Sequence, residues 1–443
     1  MQWGDGVIIL RTSNSVKNTL LFQQAREKEC AYRGNVPKTI TDCQINVNTG
    51  KKPMHQIFLK LGKEKPIRQG HPWIFSGAIE RVVPLGTVVP GDFCLVLDSR
   101  GNRLGTGYYN PGSSIAVRML TRKNHFSAEE CGKRIVDSVN RRAFIGSADT
   151  TTYRLVNSEG DFVPGLIVDR YGDGICVQLL TAGIEQMRPT ILKTLDDLLH
   201  PAFIYERSDT DGAADEGLPV RQGLIAGTLP EQLVVKEHGF LFAVDLADGQ
   251  KSGMFIDQRE NRQHIMKYAL GAEVADCFCY SGGFSVRCLA AGAKRVRSID
   301  ASEKALHLAK KNRSLNGFGT ADEDFVTADL FEYWRKTEDT FSLIILDPPK
   351  FAKHSREVIR ASRGYKDINM LAFKHCQPGG IVCTFSCSQA IDRTLFRQIV
   401  FAAAADSGRE VQVIETLGQP ADHPVNIAHR EGEYLKGLVL RVI

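Results

Sequence analysis

Two stretches decide the architecture of this chain: Leu343-Ile344-Ile345-Leu346-Asp347-Pro348-Pro349-Lys350 and Gly380-Ile381-Val382-Cys383-Thr384-Phe385-Ser386-Cys387-Ser388. Each is an apolar run of strand length that stops at a turn, the first acidic and proline-stiffened, the second polar and bearing a thiol. Working outward, further strands are expected at Glu273 to Phe278, Arg295 to Ile299 and Asp324 to Thr327, with helices between them. That alternation predicts a parallel sheet. Val411 to Leu417 and Gly437 to Val442 are expected to supply its antiparallel ending. Ligands of such sheets bind beyond the carboxyl ends of the strands, where Asp347 and Cys387 fall.

At 443 residues the chain is too long for one core, and two or three domains are expected. Hydrophobic content of 43% and charged content of 24% are ordinary globular values, and the formal charge of +5 specifies no partner. The distribution is more informative. Met54 to His125 holds four Lys and six Arg against two Asp and two Glu, a surplus larger than that of the whole chain. A basic module facing an anionic partner is one reading; a solvated basic face is the other. Eleven cysteines lack the spacing of a disulfide framework, so reduced thiols and a cytoplasmic protein are expected. Cys277-Phe278-Cys279 has no partners at zinc spacing, so no metal is expected. Val7 to Leu10 is too short and too polar in its flanks for a signal peptide, and no run is long enough to span a bilayer.

Residues 1–53 show no sustained periodicity and are expected to be a poorly ordered extension, from an early start-codon assignment or as a genuine tail. From 54 to 126, short alternating strands such as Phe93 to Leu97 and Ile115 to Leu120 are separated by glycine turns and predict a small β-barrel. Residues 127–237 are expected to form a central α+β domain. It includes a helix over Ser127 to Ile145, strands at Gly165 to Asp169 and Ile175 to Leu180, and a helix over Met187 to Leu199. A hairpin of Phe240 to Val244 with Met254 to Ile256 is expected to open the last domain, 238–443.

Strand one runs into Asp276-Cys277-Phe278-Cys279-Tyr280-Ser281-Gly282-Gly283-Phe284-Ser285. Glycines there let backbone approach a ligand, and the helix start beyond offers free N–H donors. The pattern is not G-x-G-x-x-G, which disfavours a dinucleotide. Asp300 ends strand two, placed for ribose hydroxyls, and Asp329 follows strand three, placed for an adenine amine. Each acid alone is as readily a loop residue or helix cap. Three at successive strand ends fit a nucleoside without pyrophosphate, which is S-adenosylmethionine. Asp276, Phe278, Tyr280, Ser281, Gly282, Gly283, Asp300, Asp329 and Asp347 are the expected cofactor residues.

Carbon 5 of cytosine is a poor nucleophile until a thiolate adds to carbon 6, and Cys387 beside Asp347 suits that chemistry. Lys350 or a helix N-terminus is expected to lower the Cys387 pKa. A buried structural thiol is the competing reading. Arg363 and Lys366 could contact phosphate and Tyr365 a base, or the segment is an ordinary helix start. Two alternatives stay open: methylation of a guanine nitrogen or a small molecule, and an inactive RNA-binding protein.

Longer runs add a resemblance. His71-Pro72-Trp73-Ile74-Phe75, Pro164 to Asp173, Tyr205 to Asp209, Gly253 to Arg259, Asp347 to Phe351, Arg363 to Met370, Thr384 to Ser388, Ala421 to Val425 and Glu433 to Gly437 are similar to the RlmI-type ribosomal large-subunit cytosine-C5 methyltransferases. The similarity begins near His55 and reaches the C-terminus. It implies a multidomain α/β protein: an N-terminal PUA β-barrel that binds RNA, a central α+β domain, and a Rossmann-like class I methyltransferase domain. It implies Cys387 as the nucleophile, large-subunit ribosomal RNA as the partner, Arg259 at the cofactor, and Arg68 and Trp73 at the RNA. A homodimer is left open. Two features depart from the pattern. Nothing matches the extension before Met54, and Thr210 to Glu216 is acidic where the family tends to be basic.

Overall fold

Alternating burial builds the first module. In His55–Leu59 every second residue is buried, the pattern of a strand with one face on a core. Its sheet has six strands, ordered Trp73–Ile74, Val117–Thr121, Arg103–Tyr109, Asp92–Leu97, His55–Leu59 and Ile79–Val83. Ile57, Leu59, Cys94, Val96 and Val117 fill its core. The structure is a computed structural model that describes residues 54–247, 249, 253–352 and 357–443. The expected N-terminal extension lies outside the described residues.

A capping box opens the helix Ala128–Asn140: the Ser127 hydroxyl accepts from the Glu130 N–H while the Glu130 carboxylate accepts from the Ser127 N–H. That helix packs beside Arg188–Leu199 over a five-stranded sheet ordered Gln222–Gly227, Phe203–Arg207, Gly174–Leu179, Leu166–Tyr171 and Thr152–Asn157. The next hairpin differs from expectation. Phe240–Val244 pairs with the preceding Leu233–Glu237, and Ile256–Gln258 is a 3-10 turn. The reason is the two-residue turn His238-Gly239, with φ of +47° and +86°, which closes a tight hairpin there. The hairpin therefore straddles residue 237, the expected boundary.

The last sheet positions the site. Its strands are β1 (Glu273–Cys277), β2 (Arg295–Asp300), β3 (Phe325–Thr327), β4 (Phe341–Leu346), β5 (Cys376–Ser386), β6 (Val411–Gly418) and β7 (Lys436–Val442). Their order is β3-β2-β1-β4-β5-β7-β6, parallel through β5, with β7 antiparallel to both β5 and β6. The helices are α1 (Gly283–Ala290), α2 (Glu303–Leu315), α3 (Leu330–Lys336), α4 (Val358–His375) and α5 (Arg393–Ser407). Period two splits β4 between two cores. Leu343 and Ile345 face a cluster with Phe284, Cys288 and Phe385, whereas Ile344 and Leu346 face Tyr365, Ile368 and Phe396. Helices cover both faces, which is why Leu343 to Leu346 of β4 is apolar without interruption. The order reverses between β1 and β4, so a crevice opens beyond their carboxyl ends.

Candidate active site

The turn after β1 is rich in left-handed backbone. Phe278, Tyr280 and Gly282 take φ of +59°, +46° and +70°, three left-handed residues within five. For Phe and Tyr this conformation costs on the order of 1–3 kcal/mol each, so surrounding bonds must impose it. The Tyr280 N–H donates to Asp300 Oδ2 at 3.0 Å, and the Cys279 N–H donates to the Ile299 carbonyl at 3.1 Å. Asn312 Nδ2 donates to the Ser281 carbonyl at 2.9 Å, and the Tyr280 hydroxyl to that of Gly253 at 3.2 Å. Asp276 lies fully buried beneath the turn, where its Oδ2 accepts the Ser285 N–H at 2.9 Å and hydroxyl at 2.6 Å. Burial, with the charges of Asp347 and Asp300 nearby, raises its pKa to about 7.

The two glycines serve packing as well as any ligand. A Cβ on Gly282 would stand 2.9 Å from Ala309 Cβ, and one on Gly283 would stand 2.7 Å from Arg262 Cδ. Their smallness thus lets α1 seat against α2 and Arg262. Asp300 is half-buried, and its Oδ1 accepts the Ser302 N–H at 2.9 Å. Asp329 is exposed and caps α3, accepting the Glu332 N–H at 3.1 Å.

At the other side of the crevice the Asp347 N–H donates to the Cys277 carbonyl at 3.3 Å, tying the Asp-Pro-Pro turn to β1. Gln258 Nε2, from the 3-10 turn Ile256–Gln258, donates to Asp347 Oδ1 at 2.9 Å. Cys387 Sγ lies 4.0 Å from the Pro348 carbonyl oxygen, so the two quoted turns meet. Of the nine described cysteines, eight are buried and Cys387 alone is partly open. Burial pushes the Cys94, Cys131 and Cys376 thiols up to about 12, and those of Cys176, Cys277, Cys279, Cys288 and Cys383 up as well. The flanking serines point away from the crevice. Ser386 and Ser388 are fully buried, and Ser388 Oγ is 3.1 Å from the Tyr365 hydroxyl.

Several expected contacts lie elsewhere. Tyr365 is fully buried on α4, between Phe351 and Phe396, so it holds the Cys387 turn and has no face open to a base. Lys366 pairs with Asp406, while Arg363 is exposed on the same helix. Arg259 is 1% exposed; its guanidinium donates to both oxygens of Asp422 at 2.7 and 3.0 Å and is spent on joining two segments. Trp73 Nε1 donates to Glu159 Oε1 at 2.7 Å, with its ring 4.4 Å from that of His429, so it anchors the first module to its neighbours. Arg68 donates to Asp98 at 2.6 Å. In the acidic segment, Glu216 is buried, paired with Arg118 and accepting a hydrogen bond from the Asn110 amide. Lys350 is exposed. The buried cation at the Cys387 turn is instead Lys436, and like Gln258 it carries no local sequence signal for that role.

Comparison with known proteins follows the same division. A family model described as a PUA-like domain matches residues 57–122, and one described as an S-adenosylmethionine-dependent methyltransferase matches 222–441. Two solved structures share the fold, the first of them from Streptococcus mutans. One, described as a SAM-dependent methyltransferase, is 23% identical with a TM-score of 0.75, covering 87% of this chain and 100% of that one. The other, SMU.776 complexed with SAH, is 22% identical with a TM-score of 0.76 and the same coverage. Sheet order, strand-end acids and these matches define an S-adenosylmethionine-dependent methyltransferase with a PUA-like domain. Curated relatives narrow this. "Ribosomal RNA large subunit methyltransferase I" of Aeromonas hydrophila is 43% identical, covering 87% of this chain and 98% of its own length. The protein of that name from Klebsiella pneumoniae is 40% identical, with coverages of 88% and 98%. The chain belongs to the ribosomal RNA large subunit methyltransferase I family.

The strand ends fit S-adenosylmethionine. Asp300 retains acceptor capacity at the end of β2, and Asp276 Oδ1 is a buried acceptor that meets no donor among the described residues. Among the described residues no group of three His, Cys, Asp or Glu is arranged to hold a metal, and no helix is long and apolar enough to cross a membrane.

Proposed function

We propose that this protein methylates carbon 5 of a cytosine in large-subunit ribosomal RNA, with Cys387 as the covalent nucleophile. The observation that carries this reading is Cys387 itself, the one partly open thiol of the nine described, seated against the Asp347-Pro348-Pro349 turn. The relatives' names supply the RNA. Asp300 holds the ribose hydroxyls, Asp329 the adenine amine, and the turn from Phe278 to Gly283 closes over the cofactor. When bound, S-adenosylmethionine supplies an electrophilic methyl group.

The target base leaves its stack, at a cost of a few kcal/mol, to reach this crevice. The Cys387 thiolate forms a bond to carbon 6, and the ring's π pair moves toward carbon 5 and N3. Asp347, held by Gln258, faces the N3 and amino edge in its protonated form and gives its proton to N3 as negative charge develops there, which leaves it a carboxylate; N3 returns that proton to solvent when the ring is restored. Carbon 5 gains the methyl group and then loses its proton to Asp347 or to a water it orients. The returning electron pair restores the double bond and expels the Cys387 thiolate. One methyl cation enters and one proton leaves, with no second thiol required.

RNA containing 5-fluorocytosine lacks the removable proton, so it should trap the protein covalently at Cys387. Cys387→Ala should form no adduct and no 5-methylcytosine on nucleoside digestion, while retaining cofactor binding. Methylation by that variant, or a methylguanine product, overturns the reading.

A further inference from the structure

Lys436 is 2% exposed, and its ammonium donates to the Ser388 and Tyr434 carbonyls, both at 2.7 Å. Across the β5–β7 ladder it stands opposite Ser386, so its side chain spans the residues on either side of Cys387. Among the described residues no carboxylate pairs with it. A cation buried beside carbonyls alone is costly, and a Met of similar length would avoid that cost. Burial accordingly lowers the Lys436 pKa to about 8. A charge on Cys387 opposes this lowering most strongly, Arg393 deepens it, and Glu433 and Asp392 oppose it more weakly. Tyr365 and Tyr434 also face Cys387, and burial together with its charge raises the pKa of both.

We infer that Lys436 is a positioning residue for Cys387, holding the turn through Ser388 and supplying the positive charge that stabilises the thiolate. The inference rests on the reading that Cys387 is the nucleophile. When the thiol loses its proton to solvent, the buried ammonium gains the anion it lacks, and the pair becomes neutral without any backbone movement. The carbonyl bonds keep the ammonium where that anion forms.

Iodoacetamide alkylation of the full-length protein, followed at Cys387 by mass spectrometry across pH, tests this. Wild-type Cys387 should titrate clearly below the ~8.5 of an unperturbed thiol. Lys436→Met should move that midpoint up by one unit or more, slowing alkylation at least tenfold at pH 7, and Lys436→Arg should restore most of the reactivity. A Lys436→Met profile that overlays wild type overturns the inference. So does a wild-type midpoint at or above 8.5, which decides the matter even if the Met variant does not fold. Trapping on 5-fluorocytosine RNA separates the two readings. A wild-type protein that forms no adduct removes Cys387 as nucleophile, whereas an adduct with an unshifted variant midpoint removes Lys436 alone.

Discussion

At the residue scale the crevice is set by a few side chains whose bonds determine what remains free for a ligand. Asp300 already accepts two backbone N–H groups, from Tyr280 and Ser302, and each oxygen keeps a further lone pair. Asp300→Asn keeps the shape and removes the charge. A charge-assisted bond contributes about 1.5–3 kcal/mol, so S-adenosylmethionine affinity by calorimetry should fall by roughly one to two orders of magnitude. Unchanged affinity would remove Asp300 from the site. Asp276 gives a pH signature. An unfolded chain releases this proton near 3.8, and the fold retains it to about 7. Between those values the folded state binds the extra proton, so this group's contribution to stability falls as pH rises. Asp276→Asn is neutral throughout. Its stability relative to wild type should therefore improve from pH 4 to pH 7, and a gap constant across pH by urea unfolding would refute this.

At the element scale the loop between β6 and β7 joins the catalytic sheet to the central one. Asp422 accepts from Arg259 and from the Arg154 N–H, while Arg142 donates to its carbonyl. Burial opposes ionisation of Asp422, but its bonds to His423 and Arg259 prevail and hold the carboxyl well below the usual carboxylate range. Removing one partner of such a pair strands the other charge, at about 3–5 kcal/mol. Asp422→Ala should lose that much in urea unfolding, and a loss below 1 kcal/mol would show the loop to be independently held. The loop also reaches the thiol turn, since Gln389 donates to the Glu431 carbonyl at 3.2 Å.

At the scale of the whole molecule, the basic module is built into its neighbours. The Tyr108 hydroxyl donates to the Pro164 carbonyl at 2.7 Å, and Arg118 reaches both Glu159 and Glu216. Deleting the module would expose these partners, so point variants test RNA binding more cleanly. Lys63 and Lys65 are exposed on it. Each phosphate contact steepens the salt dependence of binding by about 0.7–0.9 in log–log slope. Lys63→Gln with Lys65→Gln should weaken binding of a ribosomal RNA fragment and flatten that slope, with cofactor affinity unchanged. An unaltered slope would place the RNA on another face.

The strands and helices of the catalytic sheet were legible in the sequence because their signals are local: apolar runs, β-branched residues, capping groups and turn residues within a few positions. The meeting of Asp347 with Cys387 was legible too, since parallel topology brings successive strand ends to one edge. The partners of those side chains were not. Tyr365, Arg259 and Trp73 are polar or aromatic residues in the segments expected to bind, yet each is committed to a core or a segment junction. Gln258 reaches Asp347 over 89 positions and Lys436 reaches Ser388 over 48. Such contacts depend on how folded elements stack, and no short-range pattern encodes them. The sequence by itself determined the strands and helices of the catalytic sheet and the chemistry available at one edge. Only the tertiary structure decided which charges are buried, which are paired, and which of nine described thiols is open to react.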